Sequence, residues 1–523
     1  MAVPAALLCL SVAHADVASS DPLLDLLIKK GLVTQDEANS VRNEADALRS
    51  NNIAAFPASR WKISNGIKSV ELFGDVRVRF EDRGVHIPNG DRIELERYRY
   101  ALRLGLRGDI QDNFYYGLRL ETASNPRSPW VTFGTSSTSA SGSPSIPVNG
   151  PFGKSTAGIN LGMIYLGWKP ANWLDITVGK MPNPLYFTPM VWDTDLSPEG
   201  AAETFKGSVG PLDVFATFGQ FVYEDTNPNR TTAFIVPSLP FDQRNSTPFL
   251  FAWQAGFKYN IKPDTSFKMA ATLYNYTGRG ADLAGTATPG YSDTFVGAAT
   301  NGANWGGAAN AVYGASGYPN GGAAGFQFNQ TGINNLLILD IPFEFNFKIS
   351  DDLRARIFGD FAQNLVGYQR AEAATMAAAS GFYSTNGSAT LSIPLAKNDN
   401  KAYQFGMAIG NGAVARFDNI GMVYGSVIHR HTWEARGYYQ HVEQYALDPN
   451  LLDSDFFEGR ANMEGFYLAC AYGFTDNLIG TVRYGYASRI NKQLGTAGSN
   501  QDLPWVNPIN KYQLLQADLT FKF

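Results

Sequence analysis

Apolar and polar residues alternate one by one along most of this chain. Residues 513–523 read QLLQADLTFKF, with Leu515, Ala517, Leu519, Phe521 and Phe523 on one parity and Gln516, Asp518, Thr520 and Lys522 on the other. A period of two marks a strand with one apolar and one polar face. Between residues 70 and 81, Leu72, Gly74, Val76, Val78 and Phe80 oppose Asp75, Arg77, Arg79 and Glu81. In the next stretch Tyr98, Tyr100, Leu102, Leu104 and Leu106 oppose Arg97, Arg99, Arg103 and Arg107, and then Phe114, Tyr116, Leu118 and Leu120 oppose Arg119 and Glu121. Similar stretches recur near 158–169, 173–181, 200–208, 211–223, 249–261, 264–277, 334–349, 353–364, 402–410, 431–445, 464–474, 476–488 and 512–523. The pattern predicts about sixteen strands in all, with 410–430 the least regular stretch.

The connections carry a second signal. Short turns (Gln111–Asn113, Pro170–Asn172, Lys262–Asp264, Ser350–Asp352, Thr475–Asn477) alternate with long segments rich in Gly, Ser and Asn, near 122–157, 224–248, 278–333, 366–401, 447–463 and 489–511. Transmembrane β-barrels close one end with short turns and the other with long loops, and alternate lipid-facing with lumen-facing residues. The predicted fold is therefore an all-β, transmembrane antiparallel barrel over 70–523. An arginine at mid-membrane on the lipid face would cost about 2–4 kcal/mol, so the Arg-bearing face must line the lumen. Tyr98, Tyr115 and Tyr438 are candidates for the aromatic girdles, and Cys470 shares the apolar face of Phe466, Leu468, Tyr472 and Phe474.

The first 69 residues do not alternate. Residues 1–15 (MAVPAALLCLSVAHA) form an apolar run ending in Ala13-His14-Ala15, which reads as a signal peptide without its usual basic start, so the true start codon is expected upstream. Residues 16–69 read as a short periplasmic α-helical segment and linker. Asp21-Pro22 opens one helix, Thr34-Gln35-Asp36-Glu37 is a capping box for a second, and Ala38, Val41, Ala45 and Leu48 fit either an amphipathic helix or a coiled coil. Removal of the leader would leave only Cys470.

Composition then narrows the function. The chain has 523 residues, 13% aromatic, 52 Gly and a net charge of −5, and no apolar run suits a membrane helix of roughly 18 residues or more. Nothing in that balance points to nucleic acid. The histidines (His14, His86, His429, His431, His441) have no nucleophile motif beside them, so no enzyme, cofactor or metal site is expected, although His429 and His431 share a strand parity.

The candidate chemistry is that of a pore. Arg77, Arg79, Arg97, Arg99, Arg103, Arg107 and Arg119 fall on the inward face of three consecutive strands, where they either form a cationic selectivity wall or pair with Asp75, Glu81 and Glu121. After the fifth strand, GKMPNPLYFTPMVWDTDLSPEGAA holds Pro182, Pro184, Pro189 and Pro198, which forbid a regular strand. This third long-side loop is predicted to enter the barrel and set Asp193, Asp195, Glu199 and Glu203 against the arginines. Phe521 and Phe523 form the expected assembly signal.

The blocks DPLLDLLIKKGLVTQDEA, GKMPNPLYFTPMVWDTDLSPEG and DSDFFEGRANMEGFYLACAYGFTDNL, with the terminal FKF, resemble the Gram-negative Putative porin family over essentially the whole mature chain. That resemblance implies an outer-membrane channel for passive diffusion of small hydrophilic solutes or ions. It also implies a homotrimer set in outer-membrane lipid and lipopolysaccharide after insertion by the barrel assembly machinery. A structural or adhesive barrel, or a sheath around a partner such as a cytochrome, is the alternative reading. The short preamble leaves no room for the plug of a gated transporter.

Overall fold

The computed structural model describes residues 66–87, 90–123, 128–134, 158–223, 249–277, 336–371, 399–411, 430–448, 451–492, 496 and 509–523, together with Lys30 and Thr34. The chain divides into Met1–Ser59 and Arg60–Phe523. The expected signal peptide and N-terminal helices lie outside the described residues.

Each alternating stretch forms a strand: β1 (Glu71–His86), β2 (Arg92–Asp109), β3 (Phe114–Ala123), β4 (Gly158–Ala171), β5 (Leu174–Lys180), β6 (Glu199–Val209), β7 (Leu212–Val222) and β8 (Phe249–Lys262). The series continues through β9 (Thr265–Thr277), β10 (Leu337–Asp340 resuming as Phe343–Lys348), β11 (Arg354–Asn364), β12 (Lys401–Gly410), β13 (Trp433–Val442), β14 (Met463–Gly473), β15 (Leu478–Arg489) and β16 (Lys511–Lys522). The interruption in β10 falls at Ile341-Pro342, where proline has no N–H to give the ladder. A two-residue strand, Val131–Thr132, pairs with Arg99 and Tyr100 of β2 beyond the end of β3.

All neighbours are antiparallel, and the sheet closes into a 16-strand barrel where β16 meets β1, with Val78 opposite Leu519 and Arg79 opposite Asp518. Closure leaves no open edge, which is what hydrocarbon demands of a strand protein. The seam is finished by reciprocal bonds between Gly74 and Phe523, at 2.9 and 3.1 Å. Gly74 is required there, because a Cβ would stand 2.7 Å from the Phe523 ring and 2.4 Å from the Arg103 carbonyl oxygen.

The faces follow the parity. Leu72, Val76, Val78, Leu102, Leu104, Leu106, Leu519, Phe521 and Phe523 are exposed on the outside, as is Cys470. Lys522, Thr520, Asp518 and Gln516 share the inward face of β16. Tyr98 projects outward as expected of a girdle residue, but Tyr115 and Tyr438 do not. Tyr115 shares the parity of Arg119 and its hydroxyl donates to Asp175 across the lumen side at 2.6 Å. Tyr438 is buried inside, stacked on Tyr467 at 5.0 Å. Their places outside are taken by residues such as Trp168, Trp173, Trp253 and Tyr439, all exposed.

The short turns lie together at one end. The β2–β3 turn places Asp112 and Asn113 at φ 59° and 64°, a left-handed conformation that Asp and Asn tolerate best among side-chain-bearing residues. The connection 411–432 joins β12 to β13 at this same end and is the long exception, in the stretch where alternation was weakest.

Candidate functional site

Among the described residues, two of the barrel's own loops cross its interior. The first, L3 (residues 181–198), leaves β5 and is pinched at its base by a bond from Met181 N–H to the Pro198 carbonyl, 2.9 Å. Prolines prevent it from pairing as a strand, so its backbone groups need other partners. Gln254, inward on β8, supplies them: its carbonyl accepts from Tyr186 N–H and its amide donates back to the Tyr186 carbonyl, both at 2.8 Å. Farther on, the Thr188 hydroxyl donates to Asp360 of β11. Trp192 packs on Phe221 of β7 and Tyr274 of β9, at 6.2 and 6.3 Å between ring centres. Met181, Leu185, Tyr186, Phe187, Met190, Val191 and Trp192 are all buried within the lumen. Burying this much apolar side chain, at about 1.5–3 kcal/mol each, makes L3 a built part of the interior.

The second inward loop, L7 (residues 443–462), was not anticipated as part of the site. Its core is DSDFFEGR, residues 453–460. Phe456 sits between Tyr438 and Tyr467, 5.8 and 5.1 Å away. Phe457, Glu458 and Gly459 then run through left-handed φ of 61°, 55° and 64°. Two non-glycine residues in that region cost about 1–2 kcal/mol each. The turn is held by the fully buried Glu458, which pairs with Arg460 at 2.9 Å. L3 and L7 join directly: Asp193 N–H donates to the Leu451 carbonyl at 2.6 Å, and Ser454 N–H donates to the Asp193 carboxylate at 3.1 Å.

Both loops face the predicted arginine wall, which the barrel does assemble on one inward arc. Asp455 of L7 accepts from Arg79 at 2.7 Å and from Gln516 at 3.0 Å. Arg79 also binds Asp518 of β16 at 2.8 Å and lies 4.0 Å above the Trp130 ring. Glu81 binds Arg97 at 2.6 Å and Arg83 at 3.0 Å, and lies 3.8 Å from Arg99. Lower on the wall, Arg103 bonds Asp195 of L3 and approaches Glu121 at 3.3 Å; Arg119 approaches Glu121 at the same distance, and Arg77 bonds Asp75. Arg107 stands apart near the turn end, exposed and bound to Glu71 at 2.8 Å. Every predicted arginine therefore has a carboxylate within salt-bridge reach, and the wall is a lattice of mixed charge in which Glu81, Glu121 and Asp518 are each shared between guanidiniums.

Of the four predicted loop acids, the structure brings only Asp193 and Asp195 into the lumen. Glu199 and Glu203 belong to β6, because the ladder restarts at Glu199 opposite Lys180. Both share the outward parity, where Glu199 binds Lys180 at 2.6 Å and Glu203 accepts from Gln220 at 2.8 Å. Asp195 sits against Arg103, whereas Asp193 is buried with no cation in salt-bridge reach among the described residues. Burial, reinforced by the nearby Asp195 charge, pushes Asp193 up to about 7. Burial also raises Asp453 well above the usual carboxylate range, with Asp193 and Asp455 adding to it. For Asp455 burial acts in the same direction, but Arg79, Arg483 and Arg83 outweigh it and hold the group well below that range.

Residues that the sequence did not single out complete the site: Arg83, Arg483, Asp518, Gln516, Gln254, Asp360 and Asp455. The last lies in a block whose acids and adjoining phenylalanines are unusual for a surface loop, and that composition was the available signal.

The family model described as "Putative porin" matches residues 85–523, from the upper end of β1 to the last residue. The chain belongs to this family. The porin is thus an outer-membrane channel for passive diffusion. Among solved structures it is similar to OmpT, an outer membrane protein of Vibrio cholerae, at 10% identity and TM-score 0.36, covering 89% of this chain and 100% of that one. It is also similar to the anion-selective porin from Comamonas acidovorans, at 7% identity and TM-score 0.39, covering 87% and 99%. Pseudomonas aeruginosa OpdQ aligns at 10% identity and TM-score 0.36, covering 88% and 99%. Likenesses this distant carry no further argument. No curated protein matches the porin.

Proposed function

We propose that L3 and L7 together form the constriction of this channel, and that small hydrophilic solutes or ions pass between them and the arginine-bearing arc of β1–β3. The observation that carries the reading is L3 itself, buried across the lumen and bonded to β8, β11, L7 and, through Asp195, to Arg103. Opposed charges across a narrow passage order dipolar solutes and exclude apolar ones. A lumen spanned by two buried loops also leaves no passage for a partner polypeptide, which argues against a sheath. We further propose a homotrimer in lipid and lipopolysaccharide, inserted by the barrel assembly machinery, on the strength of the family resemblance; native mass measurement of the detergent-extracted protein tests the stoichiometry. No catalytic step is assigned.

The constriction is tested by deleting Phe187–Leu196 and recording single channels in a planar bilayer. The shortened loop should give a higher conductance while the barrel still assembles, because the sixteen-strand ladder is untouched. Unchanged conductance would place L3 outside the solute path.

A further inference from the structure

Behind L3, on the inward faces of β10 and β11, two carboxyl groups are buried against each other. Asp340 ends the first half of β10, just before Ile341-Pro342, and stands opposite Ala362 of β11. Asp360, two residues from Ala362 on the same face, is its diagonal neighbour. The two side chains share a hydrogen bond and are 0% and 1% exposed. Among the described residues, no lysine, arginine or histidine lies within salt-bridge reach of either. Glu81, Glu344, Glu434 and Asp518 are also buried and inward, and each of them meets a guanidinium. Two ionised carboxylates enclosed together repel strongly, so something positive must stand at the pair, either a proton or a metal ion.

The surroundings favour the metal ion. Thr188 of L3 places its hydroxyl oxygen at Asp360, to which it donates. Gln404 of β12 is the register partner of Asp360 and shares its inward face. It is 3% exposed, and neither its carbonyl nor its amide has a hydrogen-bond partner. Buried side-chain amides are ordinarily bonded. A proton would join the two carboxyls and leave Gln404 as it stands, whereas a cation would take the Gln404 carbonyl as well. Both carboxylates, the Thr188 hydroxyl and the Gln404 carbonyl offer about six oxygens, the lower end of what calcium takes. Magnesium holds on to several waters, for which so enclosed a place has no room.

We propose that Asp340, Asp360, Thr188 and Gln404 form a calcium site that ties L3 to the wall of the barrel. The ion balances both carboxylates and, through Thr188, fixes the middle of L3 to β10–β12. The site itself is independent of the solute path; its effect on current rests on the reading of L3 as the constriction.

Calorimetric titration of the detergent-folded full chain, stripped with EDTA, should show one calcium bound per chain, with magnesium at least about tenfold weaker. Asp340→Asn and Asp360→Asn, each checked for the heat-modifiable folded barrel, should weaken calcium binding by about tenfold or more. Gln404→Leu, which keeps both charges, should weaken it less. In EDTA both Asn variants should unfold at or above the parent's temperature, because each removes a repelling charge, and added calcium should raise the parent alone. Calcium binding that is absent, or unaltered in every variant that folds, would overturn the site and leave a shared proton between the carboxyls. In a planar bilayer the parent should flicker less in calcium than in EDTA, and the Asn variants should not respond. Calcium bound through Asp340 and Asp360 without effect on the current would keep the site and count against L3 as the constriction. Loss of the site, with conductance still raised by deleting Phe187–Leu196, would do the reverse.

Discussion

Asp193 and Asp195 are two residues apart on L3 and meet opposite surroundings. Asp195 reaches a guanidinium; Asp193 is enclosed by backbone amides, with Asp195, Asp453 and Asp455 as its charged neighbours and the guanidiniums of Arg79 and Arg103 directed to Asp455 and Asp195. Its pKa of about 7 in place lies above the ordinary 3.8, so the enclosed state binds the proton more tightly than an opened loop does. The L3–L7 contact is then strongest below the ordinary value and weakens as pH rises toward about 7. Single-channel records should show more flicker at pH 8 than at pH 5, reporting a loosened loop junction. Asp193→Asn, which cannot ionise, should keep the quiet behaviour at both pH values. A variant with the parent's pH profile would remove Asp193 from the explanation.

At the scale of elements, the terminal strand shows how local pattern becomes closure. β16 must satisfy β1 and β15 at once, with its polar residues in the lumen and its aromatic end on the lipid boundary. Phe521→Asp puts a charge on the outer face, at a cost of up to about 1 kcal/mol near the interface, and also removes an aromatic of the expected assembly signal, so it should lower the yield of heat-modifiable barrel. Phe523→Asp should lower it less, and Lys522→Gln, on the wet face, should leave it near the parent level. Gly74→Val tests the same seam from the other side, since its side chain would collide with the Phe523 ring. Normal assembly of both Phe521→Asp and Gly74→Val would show that this seam does not limit folding. L3 and L7 follow a different logic. They are irregular where proline or left-handed backbone requires it, and they gain order by bonding the wall and each other.

For the whole molecule, the distribution of charge matters more than its sum. The arc of β1–β3 and β16 carries guanidiniums and carboxylates in alternation, and L3 and L7 add Asp195, Asp455 and Glu458 to it. Removing one loop acid unbalances the constriction without touching a strand. Asp195→Asn should move the reversal potential in a salt gradient toward anions, and Arg103→Glu should move it toward cations. If neither substitution changes the potential while conductance persists, ions do not pass this arc. Substituting Arg99 is a poorer probe, since it is buried and stands 3.8 Å from Glu81.

Alternation determined the strand count, the inward parity of the seven arginines and the outward parity of Phe521 and Phe523, while the spacing of short turns and long loops gave the end of the barrel to which L3 belongs. These are properties of neighbouring residues, because a strand turns each side chain opposite to the last. The same rule, applied strictly, would have put Tyr115 with Arg119 and Tyr438 with Arg436, inside. What alternation could not supply is where β6 begins, so Glu199 and Glu203 look like loop acids in the sequence although the ladder with β5 claims them. Nor could it show that L7 enters the lumen, or that Arg79 would find Asp455 and Asp518, 376 and 439 residues away in sequence. Such contacts exist only after β16 has closed on β1, since closure brings remote inward faces within hydrogen-bond reach of one another and of the loops between them. Tertiary structure therefore decided which charges meet, because only the closed barrel sets the inward faces and the two loops side by side.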